Sequence, residues 1–236
     1  MISSLKTVAD HSLLLLFVIL SASLTAQRYT EIGSFVSIPT GDFAARNLDG
    51  GSFAEVGWGL NISSRIEVPN VYRRFGIYLQ GSWQRNRMNT AALSEEFTRA
   101  IGYRTLVSES RYMPVTALIG PSHQLFSGRI QVFLNAGIGV IFNNTRALTL
   151  TILDDNGNVD YEEVVSFVNN PAFVYMLGFD LSTEVIPDRL KVSLFAQYST
   201  ARQEVDIYLS TNQNAGAFEQ IGFINTGFKF TLNTFR

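Results

Sequence analysis

Acidic and amide side chains crowd one short stretch of this chain, Asp154-Asp155-Asn156-Gly157-Asn158-Val159-Asp160, with Glu163 just beyond. Oxygen-rich side chains at alternate positions are what a calcium loop uses. With Gly157 at position 6, Asp154, Asn156, Asn158, Asp160 and Glu163 fall at positions 3, 5, 7, 9 and 12 of such a loop. Position 1 would then be Ile152, which carries no ligating atom. The flanks, Leu148 to Leu153 and Val164 to Val168, have strand composition rather than the helices of a calcium-binding hand. Asn156-Gly157 is itself a strong two-residue hairpin turn. The stretch is expected to be the tip of a hairpin, and no metal ligand is assigned.

Hydrolytic chemistry fares no better. A nucleophile–histidine–acid site needs three side chains converging on one point. His11 lies in a segment read below as cleaved, which leaves His123, placed in an expected turn from Pro121 to Gly128. No serine or acid is spaced so as to organise around it. The chain has no cysteine, which excludes a disulfide framework, a thiolate metal site, a cysteine nucleophile and a lipid-anchor cysteine. No catalytic, cofactor-binding or metal residue is therefore assigned. No cofactor is expected, and the protein is not expected to be an enzyme. A formal net charge of −2 gives no reason to expect nucleic acid as a partner.

The remaining charges make sense only once the elements that carry them are drawn. Hydrophobic residues make up 46% of the chain and charged residues only 16%, against roughly 25% charged in soluble domains. Beyond the first two dozen residues, no apolar run approaches the roughly 20 residues of a spanning helix. A low-charge chain without helix-length runs has another route into a bilayer, the closed β-barrel.

The N-terminus supplies the export signal. Lys6 precedes the apolar core Leu13 to Leu20, and the small-residue stretch Ser21 to Ala26 follows. Residues 1–26 are expected to be a cleaved secretory signal peptide, and 27–236 a single outer-membrane barrel domain.

Apolar residues then alternate with polar or small ones along the mature chain. From Ile130 to Phe142 every even position is apolar, and the odd positions include Gln131, Asn135, Gly137 and Gly139. Phe173, Tyr175, Leu177, Phe179 and Leu181 alternate with Gly178, Asp180 and Ser182. Such runs reach the roughly 9–11 residues of a tilted bilayer-crossing strand. Eight strands are expected, near 28–38, 53–66, 74–86, 111–121, 129–142, 172–186, 190–201 and 220–234. The connections after the even strands are short and those after the odd strands long. That sorting predicts an all-β, up-and-down antiparallel transmembrane barrel with short periplasmic turns and long extracellular loops.

Parity then sends Glu31, Glu55, Asp180 and Glu184 inward, together with Arg65, Arg129, Lys191 and Lys229. Folding the chain about Pro187-Asp188 sets Glu184 opposite Lys191 and Val185 opposite Leu190. Phe35, Phe133 and Phe195 share the inward face. An eight-stranded barrel has room for side chains and little else, so these groups are expected to plug the lumen. Trp83, Phe142, Tyr175 and Tyr198 are expected on the outside, as an aromatic girdle near the long-loop ends. Ala91 to Phe97 is expected as a short surface helix.

Ile38-Pro39-Thr40-Gly41-Asp42-Phe43 after the first strand, Gly120-Pro121 at the fourth and the Ala26-Gln27 junction resemble the outer-membrane β-barrel domain proteins. These are the PorT-like small barrels of Bacteroidetes. The resemblance is in layout along the whole mature chain, and it implies an accessory role in an envelope secretion or transport assembly. The expected function is a structural or surface-interaction barrel in the cell outer membrane, with a small-solute channel as a further alternative. Its expected partners are outer-membrane lipid, the barrel-insertion machinery and an envelope or extracellular protein.

Overall fold

Residues 29–67, 74–186, 190–209 and 214–232 are described by the structure, a computed structural model. The expected signal segment, the expected turns at 68–73 and 187–189 and the C-terminal Phe235 and Arg236 lie outside the described residues.

In chain order the strands are β1 (Tyr29–Pro39), β2 (Gly57–Glu67), β3 (Phe75–Arg87), β4 (Thr105–Val107), β5 (Arg111–Tyr112) and β6 (Val115–Phe126). There follow β7 (Ile130–Phe142), β8 (Leu148–Leu153), β9 (Val159–Asn169), β10 (Ala172–Ile186), β11 (Leu190–Leu209) and β12 (Asn214–Leu232). Among the described residues one α-helix, α1, spans Thr90–Ile101. Eight of the strands, β1-β2-β3-β6-β7-β10-β11-β12, pair antiparallel with their neighbours, and β12 closes the ring on β1. The closing ladder runs from Thr30↔Leu232 to Pro39↔Phe223.

The wall is inside out by the standards of a soluble sheet. Along β10 the inward residues include Val174, Met176, Asp180 and Ser182, whereas Phe173 is 76% exposed and Asp180 only 2%. Ile32, Leu60, Ile138, Leu194 and Phe228 continue the exposed apolar belt on other strands. A continuous belt of large apolar side chains is stable only against hydrocarbon, so the fold is a transmembrane barrel. Trp58 and Trp83 meet edge to face on the belt, with centroids 5.2 Å apart.

Three strand boundaries differ from expectation, each for a local reason. β2 begins at Gly57 rather than 53, because Phe53 adopts φ 54° and turns inward, leaving Ala54 to make a lone bridge to Met88. The expected fourth strand divides at Pro114: Arg111–Tyr112 pairs separately with β3, and β6 then continues through Pro121 to Phe126. His123 is thus on a strand and not in a turn. The segment 202–219, expected as a loop, continues β11 and β12 as a ribbon that pairs from Ala201↔Ile221 to Tyr208↔Asn214. Its outward face brings in Arg202, Glu204, Asp206 and Gln220, with the Arg202 guanidinium over the exposed Phe218 ring, so the strands leave the apolar layer there without losing their ladder.

Above that level the long connections fold into a crown. The hairpin β8–β9 joins the ribbon through β9 on β11, and β4 adds to β8. Helix α1 is longer than expected. Asn89 caps its start by accepting from the Ala92 N–H at 3.0 Å, and Gly102 ends it at φ 83°. Two hydroxyls of α1 accept from the outer edge of β4: Thr98 from the Thr105 N–H at 3.0 Å and Ser94 from the Val107 N–H at 2.9 Å. Phe43, in the turn after β1, is fully buried between Tyr112 and Phe223, with centroids at 4.9 and 5.1 Å. The Ile38 to Phe43 segment thus has a structural task, to bring an aromatic stopper back over the barrel.

Candidate functional site

β1, β2, β10 and β12 each send one charged side chain to the middle of the lumen. Glu31, Arg65, Asp180 and Lys229 are all nearly or fully buried there. The Lys229 ammonium donates to both Asp180 oxygens at 3.1 Å and to the Tyr78 hydroxyl at 3.1 Å, and lies 3.6 Å from Glu31. Arg65 donates to Asp180 at 2.9 Å and stands 3.8 Å from Glu31. Two acids and two bases form one closed network in which each charge faces an opposite one.

Neutral groups complete it. Ser63 donates to Glu31 at 2.9 Å, Asn135 to Asp180 at 3.0 Å, and the Arg65 Nε to Ser122 at 2.9 Å. Aromatic faces close the sides: the Arg65 guanidinium lies 3.7 Å from the Phe133 centroid, and the Lys229 ammonium 4.7 Å from that of Phe195. Phe35 packs edge-on against Phe195. Buried charge is tolerated on these terms, paired and hydrogen-bonded. Above this level Gln84, Asn86 and Asn225 link across the bore beside Ser37, and Phe43 lies above them. Below it is a recess of about 100 Å³ reaching Lys191.

Of the eight charges expected inside, the network gathers four. Glu184 and Lys191 pair at 3.3 Å nearer the short-turn end, with side chains 40% and 18% exposed. Their register is as expected, but Ile186 rather than Val185 lies opposite Leu190, because a bulge between Glu184 and Ile186 absorbs one residue. Arg129 is exposed at the rim before β7, where its backbone stops short of the ladder. Glu55 precedes β2, and its carbonyl accepts from Asn86 instead. Tyr78 and Gln80 were legible as inward from parity with Ser82 and Gln84. Their hydrogen bond to one another, which places the hydroxyl for Lys229, was not.

The rim pair supports a modest test. Lys191→Ala and Glu184→Ala, alone and combined, are expected to show a coupling of about 0.5–1 kcal/mol in urea unfolding, as for half-solvated pairs. Strict additivity would contradict the contact.

The other candidates resolve differently. His123 points outward from β6 and stacks on Phe75, centroids 4.2 Å apart. It faces away from the lumen and the crown. The Asp154–Asn158 segment is the hairpin tip between β8 and β9, with Gly157 at φ 82°. Asp154 accepts from the backbone N–H groups of Asn158 at 2.7 Å and Asn156 at 2.9 Å. These bonds, Asn158 first, hold its carboxyl below the usual aspartate value. Glu163 accepts from Tyr161 further along the strand. Of the oxygens that the spacing lines up, those of Asp154 are engaged in the turn and one of Glu163 along the strand.

A closed antiparallel ring, an apolar outer belt and a packed polar lumen together define a small transmembrane β-barrel with a folded crown. No protein-family model matches the chain, and no curated protein matches it. Solved structures do. The chain is similar to a major outer membrane protein from Thermus thermophilus, at 8% identity and TM-score 0.45, over 87% of this chain and 100% of that one. The outer membrane protein OprG from Pseudomonas aeruginosa matches at 10% identity and TM-score 0.44, over 87% and 96%. Neisserial surface protein A matches at 8% identity and TM-score 0.43, over 87% and 96%. Barrels described as an outer membrane enzyme and an outer membrane protease also stand among the similar structures.

Proposed function

We propose that this protein is an exported outer-membrane barrel whose lumen is a structural plug and whose work is surface interaction through its crown. The observation that carries this reading is the bore itself, obstructed by the charged network, by the amide layer and by Phe43. Side chains tied to one another across a barrel hold its register and leave no aqueous path. The crown, by contrast, is a built object with its own strands, helix and buried residues, including Phe53, Met88, Leu93 and Leu148. On this reading the short turns face the periplasm and the crown faces outside, as loop length favours. Lipid surrounds the belt, the barrel-insertion machinery delivers the chain, and an extracellular or envelope partner meets the crown. A non-enzymatic role is supported by the position of His123, remote from both lumen and crown.

Two measurements test it. Purified protein in planar bilayers is expected to show no stable, large conductance, and regular porin-sized openings would overturn the plug. A short epitope inserted at the exposed Asn156-Gly157 tip is expected to be labelled on intact cells. Labelling only after permeabilisation would reverse the orientation.

A further inference from the structure

Between the loop after β1 and the inward side of the β9–β11–β12 ribbon lies a cavity of about 240 Å³. At ~30 Å³ per water that is space for a molecule about eight waters in bulk. Its walls are Leu48 of the loop, Phe167 of β9, Val205 and Ile207 of β11 and Ala217 of β12, and one acid, Glu219, stands among them. Glu219 has the inward parity of Ile221 and Phe223.

The polar groups at this acid are few. The Ser52 hydroxyl is hydrogen-bonded to the Glu219 carboxylate. Tyr112 lies close, but its hydroxyl already donates to the Ser52 carbonyl at 2.6 Å. Among the described residues no base forms an ion pair with Glu219. A carboxylate offers about four acceptor sites, and Ser52 takes one of them. Glu219 is half-buried, and that desolvation raises its pKa above the usual glutamate value.

An apolar chamber with one such acid selects its ligand by chemistry. A hydrated metal ion gains nothing from Phe167 or Val205, and an anion is repelled by the acid. A compact hydrocarbon body carrying one ammonium satisfies both parts. We propose that this cavity binds a small apolar primary amine, its ammonium on Glu219 and its body against Phe167, Val205 and Ile207. The inference rests on the surface-interaction reading only in that the crown faces outside. Epitope labelling and bilayer recording judge that reading independently of any ligand.

The test uses the full mature chain refolded into lipid nanodiscs, titrated calorimetrically with 2-phenylethylamine and with 2-phenylethanol, a neutral probe of nearly the same shape. The amine is expected to bind at a single saturable site at least tenfold tighter than the alcohol. Glu219→Gln is expected to bring the two probes to within about twofold of each other, leaving the weak alcohol binding in place. Ala217→Phe, which fills the chamber and spares the acid, is expected to abolish both. Each variant is checked for the gel-mobility difference between unheated and boiled samples, and if Ala217→Phe fails to fold, the Glu219→Gln comparison decides. Absence of saturable amine binding, or amine binding unchanged by Glu219→Gln, would overturn the proposal.

Discussion

Lys229→Met is expected to cost the barrel about 3–5 kcal/mol, the range for removing one partner of a buried ion network. The lysine is fully buried, and its ammonium serves Asp180, Glu31 and Tyr78 together. Methionine fills nearly the same space, so the loss is electrostatic rather than a cavity. Arg65 alone then faces two carboxylates, at 2.9 and 3.8 Å, and is tied to Ser122 as well. Adding Asp180→Asn to Lys229→Met removes the surplus negative charge and is expected to recover more than about 1 kcal/mol of the loss. The measurement is urea unfolding in lipid vesicles, followed by tryptophan fluorescence. A loss no larger than that of the rim variant Lys191→Ala would mean that the bore is wet and the network screened.

The second large effect is steric. A Cβ built on Gly139 would lie 1.8 Å from the Ala117 carbonyl oxygen and 2.8 Å from its carbon, both backbone atoms of the paired strand β6. No rotamer relieves that contact, so Gly139→Ala must push β6 and β7 apart. The expected cost is at or above the upper end of overpacking, about 3 kcal/mol. Gly137, two residues away on the same face, is the control. Its Cβ would first meet the mobile end of Met176 at 3.3 Å, and Gly137→Ala is expected to cost less than about 1 kcal/mol. Comparable effects at the two positions, read from unfolding curves and from the unheated gel band, would remove the close approach from the account.

Why some of this could be read from the chain and some could not follows from range. Alternation is local, so the strands around Ile130–Phe142 and 172–186 were legible, and with them the inward direction of Asp180, Arg65 and Lys229. The Glu184–Lys191 pair was legible because so few residues separate the two that the register between their strands has little freedom. The union of Glu31, Arg65, Asp180 and Lys229 depends on stagger around the whole ring, which parity does not specify. The ribbon beyond Arg202 was missed because its outward residues turn polar on leaving the apolar layer, and polarity reads as loop. Phe43 carried no periodic signal, and alternation over 53–66 and 111–121 did not show that Phe53 and Tyr112 bury in one cluster with it over the bore. Glu219 was hidden for the same reason: an acid in an apparent loop reads as solvated until the chamber around it is built.

The seam between β1 and β12 sets a timetable for the protein. Thr231 meets Glu31 at 3.5 Å across 200 positions of sequence, so the ring cannot shut while the last strand is still in transit. Hairpins such as β6–β7 and β10–β11 are local and can pair early, but the loop-closure entropy of the seam is met only at the end. Until then every strand of the wall shows its lipid-seeking face to water, and the two seam strands offer unpaired edges. On the proposed outer-membrane reading, a chain joined in this order crosses the aqueous space unfinished, and closure of the seam is expected to be the last pairing to form.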